Sequence, residues 1–257
     1  MNHQPDLKRV KDLCNLTDDE WSAIFFLVSK GEHDNEAWDK TFTSAHGGSV
    51  FTYADALKYD WKQRGVTCGI VGFTTANDGK PEWGDAQPML KKFHKLGGPD
   101  LTPLAKDAHK NKERADTLCK KIGHLEGADY DTFVDAQMAM LCEKGGYLYE
   151  TVHVLIAADI PRTPLFIAAL FDTALNFGLG GKYCPVHWMK EHACKGNSAR
   201  TLRAFLKFKA ESGARNHHNS CKHNAEGRAD QFLKLMQKGD WNLSRSGCES
   251  VVAWTMK

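Results

Sequence analysis

Glu32 stands at the end of an apolar helical pattern made by Trp21, Ile24, Phe25 and Val28. Some thirty residues later the chain runs Arg64-Gly65-Val66-Thr67-Cys68-Gly69-Ile70-Val71-Gly72-Phe73. A carboxyl group held at a helix end and facing a short sheet can be kept protonated by its surroundings, which suits it to act as a general acid. Cleavage of an acetal such as a glycosidic bond needs such an acid, and usually a second carboxylate to position water or attack. The plain alternative for Glu32 is a solvated helix-end residue.

These residues need a helix and a small sheet to hold them. Thr17-Asp18-Asp19-Glu20 reads as a capping box that starts the helix, and Gly31 is placed to end it. Residues 33–64 are polar, with a β-like piece at Ser49–Tyr53, and Val66 to Phe73 reads as a strand whose glycines allow close approach of another chain. Residues 74–86 form a turn-rich loop. Beyond Gln87 the pattern turns helical, with starts expected at Pro88, at Thr102-Pro103, near Asp131, near Gly146 and at Thr163-Pro164. The last of these ends at Gly178, and two more helices are expected near Ala199–Glu211 and Ala225–Lys238. The expected fold class is α+β and predominantly α-helical, in one domain over residues 1–257. Within it, a small β-containing lobe spans about 32–86, and a helical lobe spans about 87–257 together with the N-terminal helix.

Taken together, the residues around Glu32 resemble the chitosanases of glycoside hydrolase family 46, in the wider lysozyme superfamily. In that family a helix ends at the catalytic glutamate and a tryptophan follows six residues later; Glu32 and Trp38 have this spacing. The family's strand, close to R-G-Y-T-G-G-I-I-G-F, is matched by Arg64 to Phe73, and its small polar loop by the residues up to Asp78. Weaker likenesses continue through residues 170–178 and 232–243. The resemblance implies a lysozyme-like two-lobed fold with a cleft between the lobes. It makes Glu32 the general acid and Thr67 a holder of the attacking water, with Trp38, Arg64 and Asp78 on the substrate side. Trp38 reads equally as core packing and Thr67 as an ordinary strand residue. Asp172 would join a buried charge network, paired with Lys209 where the family has an arginine. One departure stands out: the family's second carboxylate sits two residues before the strand arginine, and Lys62 occupies that place here. Asp60, two residues further back, takes its role if the loop bulges, with Asp55 and Asp39 as weaker substitutes; the plain alternative for Asp60 is a solvated loop acid. The family's widely separated carboxyls imply inversion at the anomeric carbon.

The choice of polymer turns on charge. Chitosan is a polycation, and the family's segment before its last helix is acidic. Here that segment is Ala214-Arg215-Asn216-His217-His218-Asn219-Ser220-Cys221-Lys222-His223, which is neutral to basic. Such a surface favours an anionic glycan, peptidoglycan first, so the reading is a muramidase with a chitosanase second. A catalytically weakened glycan-binding module is the reading from a different class. Relatives of this kind include wall-degrading effectors delivered by type VI and other secretion machines, and phage endolysins. Such a protein is made in the cytoplasm, acts on a target cell's wall or periplasm, and can have a cognate immunity or inhibitor protein.

Composition agrees with a globular chain: 257 residues, 26% charged, 42% hydrophobic and a formal net charge of +2. That mild bias requires no nucleic acid. No run of about 18 apolar residues exists to span a membrane stably, and the N-terminus carries no apolar signal core. No cofactor or metal is expected. Cys184, His187, His192 and Cys194 have donor types but not a common structural zinc spacing, so a Cys184–Cys194 disulfide or free thiols is favoured there. His217, His218, Cys221 and His223 read as solvated loop residues. Cys68 reads as a buried thiol. The Gly178-Leu179-Gly180-Gly181 loop lacks the lysine and hydroxyl of a phosphate-binding loop.

Overall fold

The computed structural model describes residues 5–32, 54–56, 65–77, 79–215 and 219–252. Trp38, Asp39, Asp60, Lys62, Arg64 and Asp78 lie outside them, as does the expected strand at 49–53. The described chain is mostly helical with one three-stranded sheet. Its contacts divide it into two compact units. One comprises Met1–Lys8 and Glu32–Leu141, the other Arg9–Gly31 and Cys142–Lys257. The helices from 86 to 141 thus belong with the sheet, whereas the sequence placed them in the helical lobe.

In the first unit, β1 (Ala54–Ala56), β2 (Val66–Cys68) and β3 (Phe73–Thr74) form an antiparallel sheet in that order. The expected single strand from Val66 to Phe73 is in fact a hairpin. Gly69 and Gly72 adopt φ of +81° and +73°, which only glycine enters without strain, and Gly72 N–H donates to Gly69 O at 3.1 Å. A 3-10 turn (Pro81–Trp83) leads into α3 (Ala86–Lys95), followed by α4 (Thr102–Ala105), α5 (Lys112–Gly123) and α6 (Gly127–Cys142). α3 begins two residues before Pro88, whose missing N–H then falls in the first turn, where no intrahelical acceptor is lost. α4 takes Leu101 rather than Thr102 as its N-cap, because Asp100 Oδ1 accepts from both the backbone N–H (3.0 Å) and the hydroxyl (2.5 Å) of Thr102. Phe93 and Phe133 meet edge to face at 5.3 Å within a core that includes Val66, Cys68, Ile70, Phe73, Met89 and Leu118.

The second unit holds α2 (Asp18–Glu32) up to Gly31, most of α1 (Pro5–Cys14), and α7 (Tyr147–Ala157), α8 (Pro164–Phe177), α9 (Pro185–His192), α10 (Ser198–Arg215), α11 (Asn219–Gln237) and α12 (Arg245–Val252). The capping box is present: Glu20 N–H donates to Thr17 Oγ1 (3.2 Å), and Thr17 N–H donates back to Glu20 Oε2 (2.8 Å). Gly31 does not stop α2, which continues through Glu32. α8 is the central helix, buried from Pro164 to Ala174. Thr163 caps its start, accepting from Phe166 N–H at 3.4 Å, and Gly178 ends it at φ +74°. Phe171 of α8 meets Phe25 of α2 edge to face at 6.0 Å. Helices α1, α5, α9 and α12 were not anticipated. All four are short (eight to twelve residues) and carry their apolar residues among many charges. Among the described residues, no helix is long and apolar enough to cross a membrane.

Candidate functional site

Glu32 closes a helix whose body is almost wholly core. Trp21 and every residue from Ala23 to Ser29 are buried. Ser29 donates its buried hydroxyl to Phe26 O at 3.2 Å, which satisfies it within the helix. α2 is fifteen residues long, capped at its start by Thr17, and ends at Glu32. Glu32 opens the longer segment of the unit that contains the sheet, and Thr67 belongs to the same unit.

Thr67 is the middle residue of β2. Val66 and Cys68 on either side are fully buried, so the pleat turns Thr67 to the opposite, half-exposed face. The ladder pairs it with Thr74 of β3 on one side and Asp55 of β1 on the other. Directly paired positions in an antiparallel sheet lie about 5 Å apart at Cβ, and two hydroxyls at that separation can share one water. Thr74 and the register position of Asp55 were both missed in the sequence. The pairing could be counted from Thr67 only once the position of β1 was known. Asp60, the preferred second carboxylate, lies outside the described residues, whereas Asp55 occupies the ladder position across from Thr67.

Several buried groups hold β2 in place. Gln137 of α6, fully buried, accepts from Ile70 N–H through Oε1 at 2.8 Å and donates from Nε2 to Phe133 O at 3.3 Å. A Cβ on Gly69 would lie 2.4 Å from that same Oε1. At the other end of β2, Thr75 Oγ1 accepts from Val66 N–H at 2.9 Å, and a Cβ on Gly65 would come within 2.2 Å of that oxygen and 2.9 Å of His109 N. Thr74 N–H donates to Asp85 Oδ1 at 2.7 Å, which ties β3 to the start of α3. Burial pushes the Cys68 thiol far above its usual range, and Asp85 and Cys119 add to the shift, so this cysteine beside Thr67 is an unreactive core group.

Gln137→Leu removes the acceptor for a buried N–H in the turn after Thr67, and is expected to cost about 1–3 kcal/mol. Gly69→Ala should cost at least as much, because its methyl meets the Gln137 amide at a positive φ. Urea unfolding midpoints of the two variants measure both. A wild-type midpoint for Gly69→Ala would show that the turn does not need this approach.

The second unit contains the expected charge network, with one addition. Lys209 Nζ lies 2.6 Å from Asp172 Oδ2 and donates to Thr173 Oγ1 at 3.1 Å. Arg228 NH1 of α11 is 3.3 Å from the other carboxylate oxygen of Asp172. All three charged residues are at most 4% exposed. The sequence singled out Asp172 and Lys209 but not Arg228, which has no local motif and reaches the cluster only through the packing of α11 on α8.

The donor-rich segment from Cys184 to Cys194 forms no metal centre here. Among the described residues, no group of three or more histidine, cysteine or acidic side chains could hold a metal ion. Cys184 and Cys194 are free thiols rather than a disulfide; Cys184 Sγ donates to Leu179 O at 2.9 Å, and Cys194 is half-exposed. His217, His218 and the side chains of Cys221 and His223 lie outside the described residues.

No family model matches the sequence, and no curated protein does. Solved structures do match. The native chitosanase from Bacillus subtilis is similar at a TM-score of 0.62 and 18% identity, over 89% of this chain and 93% of that one. A mutant of that chitosanase in complex with six glucosamine units gives 0.63 and 17%, with the same coverage. The family 46 chitosanase from Gynuella sunshinyii, in complex with chitotetraose, gives 0.56 and 19% over 90% and 93%. The chain therefore has the fold of the family 46 chitosanases, the lysozyme-like fold that its helix-end glutamate and Gly-rich run implied.

Proposed function

We propose that this protein is a glycoside hydrolase of β-1,4-linked amino-sugar polymers, and that its substrate is the glycan backbone of bacterial peptidoglycan. The observation that carries the reading is the fold shared with chitosanases, combined with Glu32 at the end of the buried helix α2 and Thr67 mid-strand in the same unit. Glu32 protonates the leaving glycosidic oxygen. Thr67 holds the attacking water, a second carboxylate takes its proton, and the anomer inverts. Trp38, Arg64 and Asp78 bind the sugar chain.

For the second carboxylate, the spacing in the sequence favours Asp60 and the ladder favours Asp55. Paired variants separate them: Asp60→Asn or Asp55→Asn, whichever removes the base, should lower kcat by roughly 10²–10⁴. The other should stay within a few-fold of wild type.

Peptidoglycan is preferred to chitosan because the segment from Ala214 to His223 is neutral to basic and would repel a polycation. Chitosanase is the second reading, favoured by the chitosan-oligomer complexes of the similar structures. In a cell the protein would act as an antibacterial effector or endolysin, matched by an immunity partner in the effector case. Turbidity loss of isolated cell walls, measured beside reducing-end release from chitosan, is expected to favour walls, with an inverted first-formed anomer by proton NMR. Activity on chitosan alone overturns the choice of substrate, and a retained anomer overturns the mechanism.

A further inference from the structure

Helices α9 and α10 carry an excess of charge that the proposed chemistry does not use. Between Lys182 and Lys207, the exposed cations are Lys182, Lys190, Lys195, Arg200, Arg203 and Lys207, against the single acid Glu191. The whole chain, by contrast, has a net excess of only two positive charges. Glu191 lies near His192 (3.9 Å) and Lys207 near Glu211 (3.8 Å), while Lys182 sits 4.7 Å over the ring of Tyr183. Lys190, Lys195, Arg200 and Arg203 make no ion pair among the described residues.

The surface that bears them is held as one corner. Trp188 of α9 stacks on Phe208 of α10 at 5.6 Å and meets Phe205 edge-on at 5.3 Å. In the link, Cys194 N–H donates to Thr201 Oγ1 at 3.0 Å. On α10, Arg200, Arg203 and Lys207 recur three and four residues apart, so they share one solvent face. Cations on a packed frame, in excess over the acids beside them, create a positive potential that draws in a polyanion and repels a polycation.

We propose that the α9–α10 corner is an anchoring surface for an acidic glycan, the carboxylate-bearing peptidoglycan strand, separate from the residues that cleave it. The identity of the polymer rests on the function proposed above; the anionic character of the partner rests on the corner itself. A strand held there would keep the enzyme on the insoluble wall between cleavage events.

The test is co-sedimentation of the purified protein with isolated sacculi, using wild type and the fourfold variant Lys190→Gln, Lys195→Gln, Arg200→Gln, Arg203→Gln. All four side chains are exposed, so the fold should survive their replacement, and an unchanged melting temperature checks that. The variant is expected to bind sacculi roughly tenfold more weakly or worse, and to cleave a short soluble glycan fragment at the wild-type rate. Raising the salt from about 0.05 to 0.3 M should weaken wild type toward the variant. Wild-type binding by the variant overturns the proposal, as does tighter binding of the wild-type corner to duplex DNA than to sacculi. If wild type holds sacculi through these four residues yet cleaves no glycan, the surface stands and the hydrolase reading falls.

Discussion

Asp172→Asn is expected to destabilise the second unit by about 3–5 kcal/mol, the cost of leaving buried cations without their carboxylate. Asp172 lies between Lys209 at 2.6 Å and Arg228 at 3.3 Å, all of them buried. Asparagine keeps the shape but removes the only acid in that trio. Lys209→Met should cost less, because methionine replaces the aliphatic stem and Asp172 keeps Arg228 beside it. The order of the two variants is the informative quantity. A pairwise attraction alone would make them equal, since each breaks the same 2.6 Å contact. Loss of Asp172 breaks both buried contacts, whereas loss of Lys209 breaks one, which makes loss of the anion worse. Urea unfolding followed by circular dichroism measures both, and a total folding stability of about 5–15 kcal/mol makes a loss of this size conspicuous. Equal midpoints would mean that the cluster acts as a single ion pair with Arg228 as a bystander.

How much of this arrangement could be read beforehand depends on how local its cause is. The capping box at Thr17–Glu20, the buried helix from Thr163 to Phe177 and its stop at Gly178 were all legible, because each is set by side chains within four residues of one another. The Asp172–Lys209 pair was legible only through the family likeness, since its partners are 37 residues apart. The hairpin at 66–74 was misread as one strand. Its turn residues, Gly69 and Gly72, sit inside an apolar run, and the group that stabilises the turn is Gln137, 67 residues away on α6. Nothing near Gln137 marks it, for a glutamine in the middle of a helix is ordinary until it is seen to be buried. The same holds for the ladder position of Asp55, which depends on where β1 begins. That α3 and α5 pack on the sheet they follow was not legible for a different reason: hydrophobic periodicity reports which face of a helix is buried but not against what.

Glu32→Gln should lower the rate of glycan hydrolysis by roughly 10²–10⁴ while leaving the fold intact. Glutamine has the shape of the acid but no proton of suitable acidity to give to the leaving oxygen, so the loss should fall on kcat rather than on KM. Thr67→Ala should lose less, because in the proposed mechanism its hydroxyl only orients the water and Thr74 stands in the paired position beside it. This ordering separates three accounts of the chain. An enzyme with Glu32 as its acid shows a large loss for the glutamine variant, a smaller one for Thr67→Ala and wild-type binding to the glycan in both. A glycan-binding module shows no hydrolysis in wild type and unchanged binding in every variant. An enzyme that uses a different acid tolerates Glu32→Gln with little change in kcat, and that result would remove the helix-end glutamate from the mechanism. Binding and turnover must therefore be measured on the same preparations, since each account predicts a different pair of values.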